Sequence, residues 1–203
     1  MSFTPDKPLR ADAQRNRDKL LAAASDAFAE CGTDVSLEAV AKRAGVGIGT
    51  LYRHFPTRDA LIEAAYRAEV EHLAAAAPEL LAEHPSDEAL SLWLDRFVEY
   101  AAAKRGMIGA LRSISGGRED FFAATRVQIG GALTTLLDAA HAEGTIRDDV
   151  EPGDIMRATG AIWAMDADED WQRNARKLLG LLMDGLRAGA PGGRVSGPGA
   201  RPG

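Results

Sequence analysis

Two short amphipathic segments separated by a glycine-rich turn occupy residues 36–55, and few folds accommodate that arrangement. In the first segment, apolar residues recur at i, i+3, i+4 and i+7, the spacing of one helix face: Leu37, Val40, Ala41 and Ala44. Ser36 precedes them as a candidate N-cap, and Thr57 is a candidate N-cap for the longer helix that comes after Pro56. Three alternating glycines follow: Gly45, Gly47 and Gly49. With the run Thr50–Phe55 behind them, the pattern predicts a short helix, a tight turn and a second short helix.

Alternating glycines also occur in phosphate-binding loops, and the surrounding residues argue against that alternative. A dinucleotide fingerprint requires a strand immediately before its glycines and a long helix after them. The residues before Gly45, SLEAVAKRA, instead have the pattern of an amphipathic helix, and the spacing is G-x-G-x-G. No Gly-Lys-Ser/Thr follows to complete a P-loop. A helix–turn–helix is therefore the better interpretation of this segment.

In that geometry the second helix has one apolar side and one polar side. The apolar side, which would pack against the preceding helices, consists of Val46, Leu51 and Phe55. The opposite side carries polar groups at helical spacing: Thr50, Arg53 and His54, with Tyr52 at the flank. Such groups can donate hydrogen bonds to DNA phosphates or base edges. The same spacing also fits a solvated polar face on a helix that only packs.

Composition extends the helical prediction to the whole chain of 203 residues. Alanine and leucine dominate, whereas β-branched and aromatic residues are sparse, so we predict an all-α fold of about nine helices. One body helix is expected to end near Ala101, and a separate short one to surround Met107. The predicted divisions are a flexible N-terminal arm at 1–14, a three-helix head at 15–62, a larger helical body at 63–188, and a disordered Gly/Pro-rich tail at 189–203.

The charge distribution permits a nucleic-acid partner although the chain is acidic overall. The formal net charge is −6. Residues 1–67 contain 10 Lys and Arg against 9 Asp and Glu, so the acidic excess lies in the rest of the chain. The N-terminal third can therefore present a local basic face.

Several other function classes lack their sequence signals. No apolar stretch of about 18 residues predicts a membrane span, and the polar N-terminus has no secretory h-region. The single cysteine, Cys31, cannot form an intrachain disulfide, which indicates a reducing cytoplasm. The histidines lack zinc-ligand spacing, RSISGG lacks the nucleophile elbow, and MDADEDW lacks the calcium-loop glycine. We therefore expect no catalytic residue, no metal and no cofactor.

Residues 17–62 resemble the N-terminal domain of TetR-family transcriptional regulators. The strings RDKLLAAASDAFAECG, SLEAVAKRAGV and GTLYRHFPTRDAL follow the order of that family's first, second and recognition helices, and T-L-Y-x-H-F-x-x-[RK] is the most specific part. The resemblance implies phosphate contacts from four residues: Thr50, Tyr52, His54 and Arg58. It also implies that base edges are read near Ile48, Gly49 and Arg53. Arg43 and Arg17 are the residues that it implies in support.

The sequence departs from the family pattern at two positions of the turn. Gly47 stands where serine is frequent, and glycine is a tolerable N-cap. Ile48 stands where a polar or basic residue is frequent, and its side chain offers no hydrogen bond. Ile48 either contacts a thymine methyl group or packs at the helix start. Its position three residues before Leu51 favours packing.

The body is expected to provide a dimer interface, because one recognition helix touches few base pairs and such proteins act as dimers. It is also expected to provide an effector pocket. The candidate interface consists of apolar residues on two late helices: Ile155, Ile162, Leu178, Leu179, Leu182, Met183 and Leu186. The candidate pocket consists of aromatic and apolar residues with one arginine: Trp93, Phe97, Tyr100, Met107, Leu111, Phe122, Arg126 and Trp163. Each of these also fits an ordinary core position.

One further stretch, WLDRFVEYAAAKRGM, is similar to the C-terminal domain of the SbtR-like subgroup of these regulators. The resemblance implies a cytoplasmic, homodimeric, ligand-responsive repressor. Such a protein binds a pseudo-palindromic operator in double-stranded DNA and is released by a small-molecule effector, whose identity the sequence does not indicate. The alternative is an all-α small-molecule-binding protein or enzyme whose head no longer binds DNA.

Overall fold

The computed structural model describes residues 7–116, 120–166 and 168–192, and within these ranges the chain is helical with no strand. The helices are α1 (Lys7–Cys31), α2 (Leu37–Ala44), α3 (Ile48–His54), α4 (Arg58–Glu83), α5 (Ser86–Ser115), α6 (Asp120–Glu143), α7 (Pro152–Ala164) and α8 (Trp171–Arg187). A 3-10 turn, Gly32–Asp34, follows α1. The all-α prediction is confirmed.

Helix α1 begins earlier than the sequence pattern predicted. It starts at Lys7, so residues 7–14, which belong to the predicted flexible arm, are helical. Pro8 lies in the first turn, where its missing N–H would have no helical partner in any case. Good helix formers follow without a further glycine or proline until the end of α1. Residues 1–6 and most of the predicted tail, 193–203, lie outside the described residues.

Helix α5 is one continuous helix where two were predicted, which accounts for eight described α-helices instead of about nine. Gly106 lies at the expected break and serves a different purpose. A Cβ atom added there would lie 1.9 Å from the backbone oxygen of Phe28 in α1 and 2.6 Å from its carbonyl carbon. Glycine at this position therefore allows the backbones of α1 and α5 to approach each other closely.

The chain packs into two compact units, Met1–Leu73 with Glu99–Gln128 and Ala74–Val98 with Ile129–Gly203. Helices α4, α5 and α6 contribute to both units, so these boundaries differ from the division at residue 62. The core of the first unit includes Leu20, Phe28, Leu51, Leu61 and Ile62, all fully buried. The functional boundaries drawn from the sequence stay a prediction.

The second unit has a core of its own. The rings of Trp93 and Phe97 are buried and lie 6.1 Å apart. Ser86, at the start of α5, donates from its hydroxyl to the carboxylate of Glu143 over 2.6 Å. The loop after α6 is tied to α8 by the N–H of Arg147, which donates to the carbonyl of Leu186 over 2.8 Å.

Two kinds of site are absent from the part of the chain that the structure describes. None of its helices combines the length and apolar character of a membrane-spanning segment. No group of three or more His, Cys, Asp or Glu side chains there is arranged to hold a metal ion.

Replacing Gly106 with alanine should destabilise the protein, because the added methyl group would overlap the backbone of Phe28. We expect the free energy of unfolding to fall by roughly 2 kcal/mol or more, as in overpacked cores. Gly109→Ala is the matched control, since a Cβ there meets no described atom within 4 Å. That variant should gain up to about 1 kcal/mol from helix propensity. Urea titration measures both, and equal stability of the two variants would contradict the close approach.

Candidate nucleic-acid interface

The turn between α2 and α3 is built by two glycines with different tasks. Gly45 ends α2 in the left-handed conformation, with a φ of 68° that glycine adopts without strain. Its N–H donates to the carbonyl of Lys42 over 3.1 Å, and the N–H of Val46 donates to the carbonyl of Ala41 over 3.0 Å. Gly47 is extended and occupies the N-cap position of α3. The turn thus spans three residues and redirects the chain from α2 into α3.

Side-chain caps start the helices on either side of α3. The hydroxyl of Ser36 accepts a hydrogen bond from the N–H of Ala39 at the start of α2, over 3.1 Å. The hydroxyl of Thr57 accepts one from the N–H of Ala60 at the start of α4, also over 3.1 Å. Both caps were predicted from the sequence and are confirmed.

Helix α3 is anchored by Leu51 and Phe55, which are buried as predicted. On one flank of that anchor, Thr50 and His54 are half-buried, so they are less exposed than the predicted polar face required. On the other flank lies a set that we call the exposed arc: Ile48, Gly49, Tyr52 and Arg53. The side chain of Tyr52 is 47% exposed. The surface that α3 offers to a partner is therefore the exposed arc.

Ile48 corrects one interpretation of the sequence. It is 37% exposed, so the inward packing that its spacing favoured is only partial. Its spacing from Leu51 would bring it near the buried side in the middle of a helix. As the first residue of α3, however, Ile48 lies at the edge of the core.

Arg43 is held by acidic side chains of α1. Its guanidinium donates two hydrogen bonds of 2.7 Å to the carboxylate of Glu30 and lies 3.5 Å from that of Asp26. The hydrogen bond from Arg43 holds the pKa of Glu30 below its ordinary value. Such an exposed pair contributes little to stability, and it orients Arg43 toward α1. Arg43 is thus engaged by two carboxylates within the head.

Two other predicted contact residues are also engaged in the head. The guanidinium of Arg58 donates a hydrogen bond to the carbonyl of Thr33. The guanidinium carbon of Arg17 lies 5.6 Å from the ring centroid of Phe55, a cation–π distance. Arg53 differs from both, because it is exposed and no hydrogen bond or ion pair with described residues engages it.

The predicted pocket residues divide between the two compact units. Trp93, Phe97 and Trp163 belong to the second unit, and the other five belong to the first. Trp163 is a surface residue of α7, and Arg126 is exposed on α6. Two of the remaining residues are fully buried core positions: Met107 and Leu111. Tyr100 and Phe122 are brought together around a polar group.

That group is Lys104, which the sequence reasoning missed. Its Nζ lies 5.7 Å from the ring centroid of Tyr100, 5.3 Å from that of Phe122 and 5.8 Å from that of Tyr66. Burial, and secondarily the charge of Arg126, lowers the pKa of Lys104 to about 8. Burial also raises the pKa of the Tyr100 phenol. We call Tyr66, Tyr100, Lys104 and Phe122 the lysine–aromatic cluster.

Signals for the missed residues are present in the sequence. Lys104 follows Tyr100 by four residues and therefore shares its helix face. Tyr66 likewise follows Ile62 on the buried side of α4, and a buried tyrosine hydroxyl requires a partner. That partner is the hydroxyl of Thr125, over 3.1 Å, and it could not be identified without the fold.

Two hollows lie within the first unit. A small cavity of about 80 Å³ adjoins the lysine–aromatic cluster and is lined in part by Tyr66 and Thr125. A groove of about 390 Å³ runs between α1 and α4 and is lined mainly by polar side chains, among them Arg17 and Glu63. None of the predicted pocket residues lines this groove.

The predicted dimer residues are mostly part of the monomer core. Five are buried within a single chain and so offer little surface to a partner: Ile155, Ile162, Leu179, Met183 and Leu186. Leu182 is half-buried and Leu178 is exposed. Two apolar residues outside the predicted set are exposed on the same helices, Trp163 and Leu181. An apolar stripe alone does not distinguish a side that packs inward from one that faces a partner.

The short helix α2, the glycine turn and the exposed arc on α3 define a helix–turn–helix transcriptional regulator. Residues 20–65 match the family described as bacterial regulatory proteins of the tetR family, and residues 85–188 match the description "Transcriptional regulator SbtR-like, C-terminal domain". The chain belongs to the TetR family of bacterial transcriptional regulators.

Individual relatives agree with that assignment. A crystal structure of a TetR transcriptional regulator from Streptomyces coelicolor is 50% identical, with a TM-score of 0.78 over 84% of this chain and 98% of that chain. An HTH-type transcriptional regulator from Staphylococcus aureus is 31% identical over 100 residues, 46% of this chain and 52% of that protein. The HTH-type transcriptional repressor KstR from Mycolicibacterium smegmatis is 40% identical over 70 residues, 34% of each chain. The chain thus spans about half the length of one curated relative and a third of the other.

The amine of Lys104 should make the stability of the protein depend on pH. Its pKa is lowered from 10.5 to about 8 in the fold. Below pH 8 the amine is protonated in both the folded and the unfolded state, and the fold bears the cost of a buried charge. As the pH rises from 8 to 10.5, the unfolded chain holds more protons, so the free energy of unfolding rises by at most about 3 kcal/mol.

Urea titrations of the native chain and of Lys104→Met across this pH range measure the effect. The stability of the native chain should increase relative to the methionine variant, which has no amine to titrate. Lys19→Met, at an exposed lysine of α1, is the control and should retain the rise. Parallel curves for the native chain and Lys104→Met would contradict the lowered pKa.

Proposed function

We propose that the protein is a homodimeric repressor that binds a pseudo-palindromic DNA operator through α3 and is released by a small-molecule effector. The observation that carries the proposal is the exposed arc of α3, held outward by the buried Leu51 and Phe55. Repression is supported by the relative named as a transcriptional repressor. In this proposal the role of the protein is regulatory rather than catalytic, and it acts in the bacterial cytoplasm.

The contacts with DNA follow from the chemistry of α3. Arg53 can donate two hydrogen bonds to a guanine edge in the major groove. Tyr52, and the half-buried Thr50 and His54 at the side of the helix, can donate to backbone phosphates. Arg43, Arg17 and Arg58 support this arrangement by positioning the helices of the head.

The proposed dimer surface consists of the exposed apolar residues of α7 and α8: Trp163, Leu178 and Leu181. Gly160 and Gly180 lie on the same helices, and a Cβ at either meets no described atom within 4 Å. Crowding within the described part of the chain therefore does not explain why these positions are glycine. Glycine at both positions would let the helices of a partner approach closely. A dimer can place two copies of α3 on half-sites about 34–36 Å apart, or a longer helical repeat apart.

The proposed effector site is the lysine–aromatic cluster. Ligand sites combine apolar and aromatic walls with a few polar groups that orient the ligand, and the cluster supplies rings, phenols and an amine. The adjoining cavity of about 80 Å³ admits only part of a typical effector, so binding requires the surrounding helices to move.

The proposed response uses the position of the cluster on α5. Lys104 lies two residues before Gly106, where α5 touches the backbone of α1. Because no side chain separates the two backbones there, a displacement of α5 would be transmitted to α1 and hence to α2 and α3. The size of the response is bounded by the difference in effector affinity between the two conformations.

Selection of bound duplexes from a random DNA pool tests the proposed function. The native chain should enrich a pseudo-palindrome, and its affinity should fall as salt rises. Arg53→Ala should weaken binding to that operator about 10- to 100-fold through the loss of a bidentate base contact. Arg173→Ala, at an exposed arginine of α8, is the matched control and should bind like the native chain. Failure to enrich any sequence would favour a binding protein or enzyme whose head has lost DNA binding.

Substitution at Leu181 tests the dimer surface. Leu181 is 63% exposed, so Leu181→Asp should leave the monomer folded and shift the mass in solution from dimer to monomer. The control is Val127→Asp, the same kind of change at a residue of α6 that is 75% exposed and lies outside this surface. Sedimentation measures both masses. A Leu181→Asp dimer as stable as the Val127→Asp dimer would rule out this surface.

A further inference from the structure

Ile48 is an exposed isoleucine whose presence the described fold does not explain. It is 37% exposed at the first position of α3, whereas Leu51 and Phe55 supply the buried contacts of that helix. A β-branched residue also favours a helix less than alanine does. Helix propensity does not account for an isoleucine here, and burial accounts for only part of its surface, so more than a third of it is left for a contact outside the chain.

The glycines beside Ile48 leave that contact open. A Cβ at Gly47 or Gly49 would meet no described atom within 4 Å, and the φ of −71° at Gly47 suits any residue. Crowding within the described chain therefore does not require glycine at either position. Without neighbouring side chains, Ile48 is the only side chain between Val46 and Thr50, and a partner can approach the backbone on both sides of it.

The position of Ile48 on α3 directs it toward base edges when α3 lies in a major groove. Cα–Cβ bonds of a helix tilt toward its N-terminus, so the side chain of the first residue projects from the leading end. Recognition helices of helix–turn–helix proteins contact base edges with their N-terminal residues. Ile48 is thus placed for base reading and not for the flanking phosphates. This step rests on the proposed function.

The chemistry of the groove then selects the base. Guanine, adenine and cytosine present hydrogen-bonding atoms in the major groove, whereas thymine also presents its C5-methyl group. An isoleucine against a polar edge would leave a donor or acceptor unpaired, while contact with a methyl group removes apolar surface from water. We propose that Ile48 reads the C5-methyl group of a thymine in each operator half-site.

Arg53 reads a different base pair and so provides an independent control. Arg53 follows Ile48 by five positions, which corresponds to about 7.5 Å along the helix axis. Neighbouring base pairs are spaced by about 3.4 Å. A substitution at Arg53 can therefore weaken binding without changing how the thymine near Ile48 is read.

The test replaces thymine by uracil, which lacks only that methyl group. Each thymine of the selected operator is exchanged in turn for deoxyuridine in both half-sites, and affinity is measured by fluorescence anisotropy at constant salt. For the native chain, one position should show a loss of roughly fourfold per half-site, the factor for one methyl group returned to water. Ile48→Ala should bind the thymine and uracil duplexes equally at that position. Arg53→Gln should bind both more weakly and keep the same ratio.

The outcomes that overturn the inference are distinct from failure of the proposed function. If the native chain binds its operator and no uracil exchange weakens it, Ile48 does not read a thymine methyl group. If the loss persists in Ile48→Ala, another group reads it, and the inference is wrong as well. If no sequence is enriched from the random pool, the proposed function itself fails before uracil is introduced. Circular dichroism of Ile48→Ala checks the fold, which an exposed position should leave unchanged.

Discussion

The close approach of α5 to α1 at Gly106 is the contact on which the arrangement of the DNA-binding head depends. A Cβ atom on Gly106 would lie only 1.9 Å from the backbone oxygen of Phe28, so the backbones of α5 and α1 are in direct contact there. Helix α1 in turn packs against α2 and α3 and carries Glu30, which holds Arg43. Successive contacts thus connect Gly106 to α3 through α1.

The local architecture of the head could be predicted from the sequence because it is encoded by neighbouring residues. Caps at Ser36 and Thr57, the turn at Gly45 and the buried Leu51 all depend on spacing within a few positions, and each is confirmed. The exposure of Ile48 could not be predicted in the same way. An argument from periodicity assumes that a residue has helical turns before and after it. Ile48 has none before it, because it is the first residue of a seven-residue helix.

Contacts between distant segments account for what the sequence reasoning missed. The stripe on α8 is apolar over more than one side, and only tertiary packing separates the buried Leu179 and Met183 from the exposed Leu178 and Leu181. Tyr66 and Lys104 meet across α4 and α5, so no local pattern unites them. A helix end was predicted near Ala101, yet α5 continues through Gly106, where it crosses α1. A mid-helix glycine has the same local propensity in both cases, and the partner helix decides which one occurs.

The distribution of cations in the head bears on how such a protein would distinguish its operator. Arg43, Arg58 and Arg17 are engaged by a carboxylate, a carbonyl and a ring, whereas Arg53 on the exposed arc is not held by the described chain. Non-specific affinity arises almost entirely from cations that neutralise phosphates. A chain with an overall charge of −6, three of whose head arginines are engaged internally, should therefore bind random DNA weakly. The contribution of base contacts to the total affinity is then comparatively large. In the proposed dimer, a displacement of α3 that misaligned the half-sites would remove those contacts together.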